Sequence, residues 1–243
     1  MVRKIGERLP VYFFLSILII LCVMLLRSVF APFCPPLNEL ETAGYERRKI
    51  VLDAGHGGKD GGAVSVTGTH EKQLNLDISL SMRETLHILG YEVIMTRESD
   101  VELTHIDGGT RKMQDLKGRL EIATYNKDAV FVSIHMNKFS ASQYSGLQVY
   151  YSPNDAHSFD MARSVQDTVK SYLQPENDRK IKKADSSIFL LHKITSPAIL
   201  IECGFLSNEN EAVLLDTPEY RVKLSTAIAT AIINSFERQE YEN

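Results

Sequence analysis

Two periods of apolar residues alternate along most of this chain. Residues 70–89 place Leu74, Ile78, Met82, Leu86 and Leu89 at spacings of four and three, which predicts a helix with one apolar stripe. Gly90 follows as its C-terminal stop. Shorter apolar runs stand between such stretches. Ile50 to Asp53, Tyr91 to Thr96, Ala129 to His135, Gly146 to Tyr151, Ser187 to Leu191 and Ala198 to Glu202 read as strands. Further helices are expected over 113–125, with Leu116, Leu120 and Ala123 inward, and over 157–173, with Phe159, Val165 and Val169 inward. Two more close the chain at 208–215 and 218–236, the second opening on Pro218. Residues 98–112 are polar and read as a loop, with a turn at Asp107-Gly108-Gly109. Nearly continuous Val/Ile strands alternating with helices predict an α/β domain with a central, mostly parallel sheet flanked by helices.

The N-terminus breaks this pattern. Residues 9–26 carry no charge, and Arg3, Lys4 and Arg8 precede them. A helix rising 1.5 Å per residue needs about 20 such residues to span a bilayer. We therefore expect residues 1–10 in the cytoplasm, a transmembrane anchor at 11–30 and an exported remainder. A secreted form, released by cleavage of a signal segment, is the alternative. Three prolines between Ala31 and Pro36 open a linker over 31–48. A single catalytic domain is expected at 49–238, with a short tail at 239–243.

Composition narrows the partners. The 243 residues are 44% hydrophobic and 24% charged, with a formal net charge of −4. The N-terminal segment is basic, so the acidic excess lies in the remainder. Such a surface disfavours nucleic acid, whose phosphates require a basic face. Cys22, Cys34 and Cys203 form neither a CxxC motif nor an even set, so no disulfide framework is indicated.

The candidate chemistry sits at strand ends. His56 follows the first strand within Gly55-His56-Gly57-Gly58, and His135 closes another strand. Parallel strands would bring both imidazoles to one sheet edge, where open α/β sheets carry their sites. Glu71 opens the 70–89 helix and can point back to that edge. Two histidines and a carboxylate are a donor set for zinc with one position open. Each residue alone has a plainer reading: a loop histidine, or an acid favoured by the helix dipole. His70 competes as a ligand, while His87, His105, His157 and His192 lack a partner pattern. Glu202 ends an apolar strand, where an acid is costly without a role. It is the candidate general base, and a salt-bridged strand-end acid is its plain alternative. Strand alternation puts neighbouring Cys203 on the opposite face.

Five ordered segments carry a resemblance: Val51 to Ala63, Glu71 to Leu76, Met95 to Arg97, Ser133 to Asn137, and Pro197 to Asn208. Together they resemble the zinc-dependent N-acetylmuramoyl-L-alanine amidases of the amidase-3 family. The resemblance implies one zinc ion on His56, Glu71 and His135, with Glu202 as the catalytic carboxylate. It implies hydrolysis of the amide between N-acetylmuramic acid and L-alanine in peptidoglycan. One domain behind an anchor is similar to the germination-specific members of spore-forming bacteria. That implies action on spore cortex, where stem-peptide removal leads to muramic δ-lactam, in the intermembrane space of the developing spore. It leaves room for an activating protein partner. Residues 98–118 are longer than the compact family pattern, and substrate contacts there are unassigned. A Cys203-dependent hydrolase and an anchored, non-catalytic glycan- or partner-binding protein are the rival readings.

Overall fold

A computed structural model describes residues 17, 20, 21, 24, 49–103 and 108–242. Arg47–Asn243 forms one compact unit, separate from the N-terminal segment. The anchor expected at 11–30 and the linker at 31–48 lie almost wholly outside the described residues. Among the described residues, no helix is long and apolar enough to cross a membrane.

The unit runs β1 (Ile50–Ala54), α1 (Glu71–Ile88), β2 (Val93–Met95), α2 (Arg111–Tyr125), β3 (Val130–Asn137), β4 (Gln148–Tyr151), α3 (His157–Tyr172), β5 (Lys182–Lys183), α4 (Phe189–Lys193), β6 (Ala198–Phe205), α5 (Glu209–Asp216) and α6 (Pro218–Glu242). The six strands form one sheet in the order β2-β1-β3-β6-β4-β5. β2, β1, β3 and β6 are mutually parallel, and β4 runs antiparallel to β6. The parallel core follows from the helical crossovers between its strands.

Strand alternation divides the interior. Ile50, Leu52, Val132, Ile134, Ile199 and Ile201 face the larger core, packed by the apolar stripes of α1, α3 and α6. Val51, Phe131 and Ala198 face a smaller core beneath α2 and α4. Asp53, Ser133, His135 and Glu202 have the strand parity of this second face.

Several boundaries differ from the sequence reading. Ser187–Leu191 is not a strand: Phe189–Lys193 is helical, with Leu190 and Leu191 buried. A short apolar run has no period of its own. Here Asp185 accepts from the Ser187 amide at 2.8 Å and turns the chain into the helix. Thr110 caps α2 by accepting from the Met113 amide, so that helix starts two residues earlier than periodicity suggests. Phe159 is 41% exposed rather than inward; Met161, Ala162, Val165 and Val169 form the buried stripe. Leu89 is the exposed C-cap of α1. Gly90, at φ 81°, ends the helix as expected: its amide reaches the His87 carbonyl, and the Tyr91 amide reaches Leu86. The edge strand β5 consists of two exposed lysines and had no apolar signal to mark it. Such charge protects a sheet edge from further pairing.

Candidate metal centre

Three polar side chains converge where β1, β3 and α1 meet. Glu71 is the first residue of α1 and is buried. Its Oε1 lies 3.2 Å from His56 Nε2 and 3.1 Å from His135 Nδ1. One ligand atom from each of the three falls within 4.8 Å of the others. Tetrahedral coordination with bonds near 2.0–2.2 Å separates ligand atoms by about 3.4 Å. The two Glu71–histidine separations are close to that spacing, and the third lies within 4.8 Å. His70 is exposed and outside this cluster, with its ring against Gly61. His87 and His192 are also exposed, and His157 pairs with Asp155. His105 lies outside the described residues.

The cluster charges its members in opposite directions. Burial opposes ionisation of both Glu71 and His56, but their mutual contacts outweigh it. The Glu71 carboxyl is held far below the usual carboxylate range by His135 and His56. The His56 imidazole is raised by Glu71 and Asp60. Asp60 Oδ2 lies 2.9 Å from His56 Nδ1. That contact orients the ring and leaves Nε2 toward Glu71, as outer carboxylates do for metal-bound imidazoles. Glu71 Oε1 also accepts from the Met136 amide, and Oε2 accepts from the Ala63 amide.

Two glycines permit this crowding. A Cβ on Gly55 would stand 2.3 Å from the His135 ring. Gly62, at φ 64°, would carry a Cβ 2.6 Å from Glu71 Oε2 and 2.8 Å from His56 Cδ2. The remaining constraint falls on His56, the only non-glycine at positive φ (61°) among the described residues. Arg119 NH2 donates to the His56 carbonyl at 2.7 Å, and its NH1 donates to Ala54. Arg97 holds the carbonyls of Ala54 and Gly55 from the other side. Asp53, fully buried, accepts from Arg119, Ser133 and Thr96. Sequence reading assigned none of these supporting roles. One signal was available: Asp115 and Arg119 stand four apart beside the inward Leu116 and Leu120.

Glu202 lies directly opposite His135 in the β3–β6 register. It is partly exposed, yet its Oε2 is shielded and has no hydrogen-bond partner among the described residues. Desolvation pushes its pKa up to about 7, with Glu71 adding to the rise and His135 opposing it. Cys203 turns the other way, into the larger core, and is fully buried. Burial also raises its thiol pKa, the opposite of an activated nucleophile. Cys203→Ala is expected to retain turnover in a peptide-release assay; loss of turnover with the fold intact would revive the thiol reading. A cavity of about 130 Å³ opens beside His56 and His135, lined also by Lys112, Leu116 and Leu190. A second, of about 250 Å³, continues past Asp60 and Lys112 to Arg111.

The N-acetylmuramoyl-L-alanine amidase family matches residues 50–234, from β1 into α6. The chain belongs to that family. This amidase is 38% identical over 192 residues to the germination-specific N-acetylmuramoyl-L-alanine amidase of Bacillus subtilis, covering 77% of this chain and 79% of the relative. It is similar to the CwlD amidase of Clostridioides difficile, solved in complex with the GerS lipoprotein. That match has a TM-score of 0.75 and 38% identity, covering 79% of this chain and 99% of the other. AmiC2 of Nostoc punctiforme matches with a TM-score of 0.68 and 29% identity, over 78% and 97% of the two chains. The family assignment makes this amidase a peptidoglycan hydrolase of the cell wall.

Proposed function

We propose that this amidase is zinc-dependent, with His56, Glu71 and His135 as the ligands and Glu202 as the general base. The observation that carries this is the convergence of His56 Nε2, Glu71 Oε1 and His135 Nδ1 on one point. Two imidazoles and one carboxylate match catalytic zinc with an open position. When bound, the ion supplies Lewis-acid polarisation and acidifies water.

The chain's own residues do the rest. Glu202 takes a proton from the attacking water as its oxygen adds to the lactyl carbonyl carbon. The carbon–nitrogen bond then breaks, and Glu202 returns the proton to the nitrogen that leaves as the amine of L-alanine. Burial raises the Glu202 pKa in the metal-free site, and a bound cation would lower it again, favouring the carboxylate that accepts the water proton. Asp60 keeps His56 in the useful tautomer, and Arg119 fixes the loop that carries it.

The substrate is proposed to be spore-cortex peptidoglycan, where stem-peptide removal leads to muramic δ-lactam. Similarity to the germination-specific relative supports this. The GerS lipoprotein bound to the Clostridioides difficile enzyme supports a protein partner for this chain as well. The apolar run at 11–30 is proposed as a membrane anchor that holds the domain outside the cytoplasm.

The test is muropeptide mass spectrometry with the purified protein. Chelation is expected to abolish release of peptides beginning with L-alanine, and added zinc to restore it. His56→Ala and His135→Ala are expected to lower bound zinc, measured by elemental analysis. Full activity after complete metal removal would overturn the zinc assignment.

A further inference from the structure

Glu202 has a neighbour on each side across the sheet. His135 stands opposite it on β3, and Gln148 stands opposite it on β4. Directly paired residues project from the same face, so the three form one row. Beyond Gln148 the row meets Arg179, whose NH1 is 3.5 Å from Gln148 Oε1. This side of the row plays no part in the proposed metal binding.

Arg179 is built in place. Its guanidinium carbon sits 4.2 Å over the Phe205 ring and 5.7 Å from that of Tyr144. Its Nε donates to the Ser145 carbonyl at 2.6 Å. Its backbone amide donates to Asn177 Oδ1, and buried Asn177 is itself tied to the Leu147 carbonyl. Among the described residues, no carboxylate forms an ion pair with this half-buried cation, and NH2 has no hydrogen-bond acceptor. The acid nearest in the network, Glu211, acts on Arg179 only through space, because its oxygens accept from the amides of Gly146 and Phe205. A strap between loops would need only the stacking and the bond to Ser145. It would not need a guanidinium edge left without an acceptor just past Gln148, the residue paired with the proposed base.

We infer that Arg179 is a specificity-determining residue that binds the carboxylate of the stem-peptide residue following L-alanine. This rests on the amidase reading, with Glu202 at the scissile amide. Adjacent strands are about 4.8 Å apart, so Gln148 lies one such step from Glu202 and Arg179 beyond it. By backbone dimensions, the second stem residue begins about one residue length, 3.8 Å, past the alanine Cα. Alanine thus crosses the Gln148 position and an acidic second residue meets the guanidinium. A planar fork of donors suits a carboxylate better than its neutral amide.

The experiment compares two muramoyl peptides, one with glutamate after L-alanine and one with the corresponding carboxyl amidated. Wild-type kcat/KM is expected to favour the acid by about tenfold or more, the scale of a charge-assisted contact. In Arg179→Gln that ratio is expected to fall to about one, through KM for the acidic substrate. Arg179→Lys, which keeps the charge but loses the fork, is expected to restore part of the preference. A ratio unchanged in Arg179→Gln, or an equal loss on both substrates, would overturn the assignment and leave Arg179 a structural strap. Failure of the wild type to cleave either peptide would instead sink the amidase reading, and this inference with it.

Discussion

Glu202→Gln is expected to lose two to four powers of ten in turnover while binding a full complement of zinc. The range is the usual contribution of a positioned general base. Glutamine keeps the size and one oxygen of the side chain but cannot accept the proton from water. The zinc expectation follows from position: Glu202 lies across the strand pair from His135 and is not one of the three converging donors. The fold should also tolerate the change. Glu202 Oε2 is shielded without a hydrogen-bond partner among the described residues, and its raised pKa records the cost of charging it there. An acid with a raised folded pKa contributes less to stability as pH climbs from its ordinary value of about 4.3 toward 7. The neutral amide escapes that loss. The zinc-free variant is therefore expected to melt at or above the temperature of the zinc-free wild type at pH 8. Elemental analysis, steady-state peptide release and thermal melts would check the three statements. Wild-type turnover would remove Glu202 from the mechanism. Loss of zinc together with turnover would make it a ligand.

The positions of the three converging donors, and of Glu202 opposite His135, were legible in the sequence for a physical reason. Each lies at or near the end of an apolar run whose period is plain: β1 before His56, α1 after Glu71, and the runs closing at His135 and Glu202, which β3 and β6 extend to Asn137 and Phe205. Parallel pairing then determines which ends meet. What was not legible depends on how elements pack against one another. Arg119 sits inside a helix whose apolar stripe already explains its inner face. Only the packed structure shows that its guanidinium passes the sheet edge to reach Asp53 and His56. Arg97 likewise follows a strand end, where a surface role is the ordinary expectation. The misread strand at 187–191 failed because five residues are too few to separate a period of two from one of 3.6. The fold tolerates short α4 because Leu190 and Leu191 are all it must bury. Arg179 carried no signal: its neighbours Phe205 and Tyr144 come from distant stretches of chain.

Arg119→Met is expected to damage both the fold and the metal loop, and the two losses separate. In the wild type, Asp53 and Arg119 are almost wholly buried and paired. Arg119 also bonds the carbonyls of Ala54 and His56. Burial alone would raise the Asp53 pKa, but Arg119, Ser133, His135 and Thr96 hold it below the usual range. Removing one partner of such a pair costs about 3–5 kcal/mol, because the other charge stays buried without compensation. For a domain of this size that lowers the melting temperature by roughly 6–20 °C. The sign of the pH dependence follows. A depressed carboxylate pKa gives stability that is present above the unfolded value, near 3.9, and is lost as pH falls through the folded value. Without Arg119 the Asp53 pKa rises, and protonation relieves the buried charge. The gap in melting temperature between wild type and variant should therefore be widest near pH 7 and narrow toward pH 4. Adding Asp53→Asn to the variant should recover part of the stability, since no charge is then stranded. It should not recover zinc binding. The His56 carbonyl still lacks its donor, and a histidine held at φ 61° is then free to relax. A loss of about 10–100-fold in zinc affinity, the scale for outer-shell partners, is expected in both single and double variants. Equal recovery of stability and zinc affinity in the double variant would show that Arg119 acts only through Asp53, with no separate hold on the metal loop.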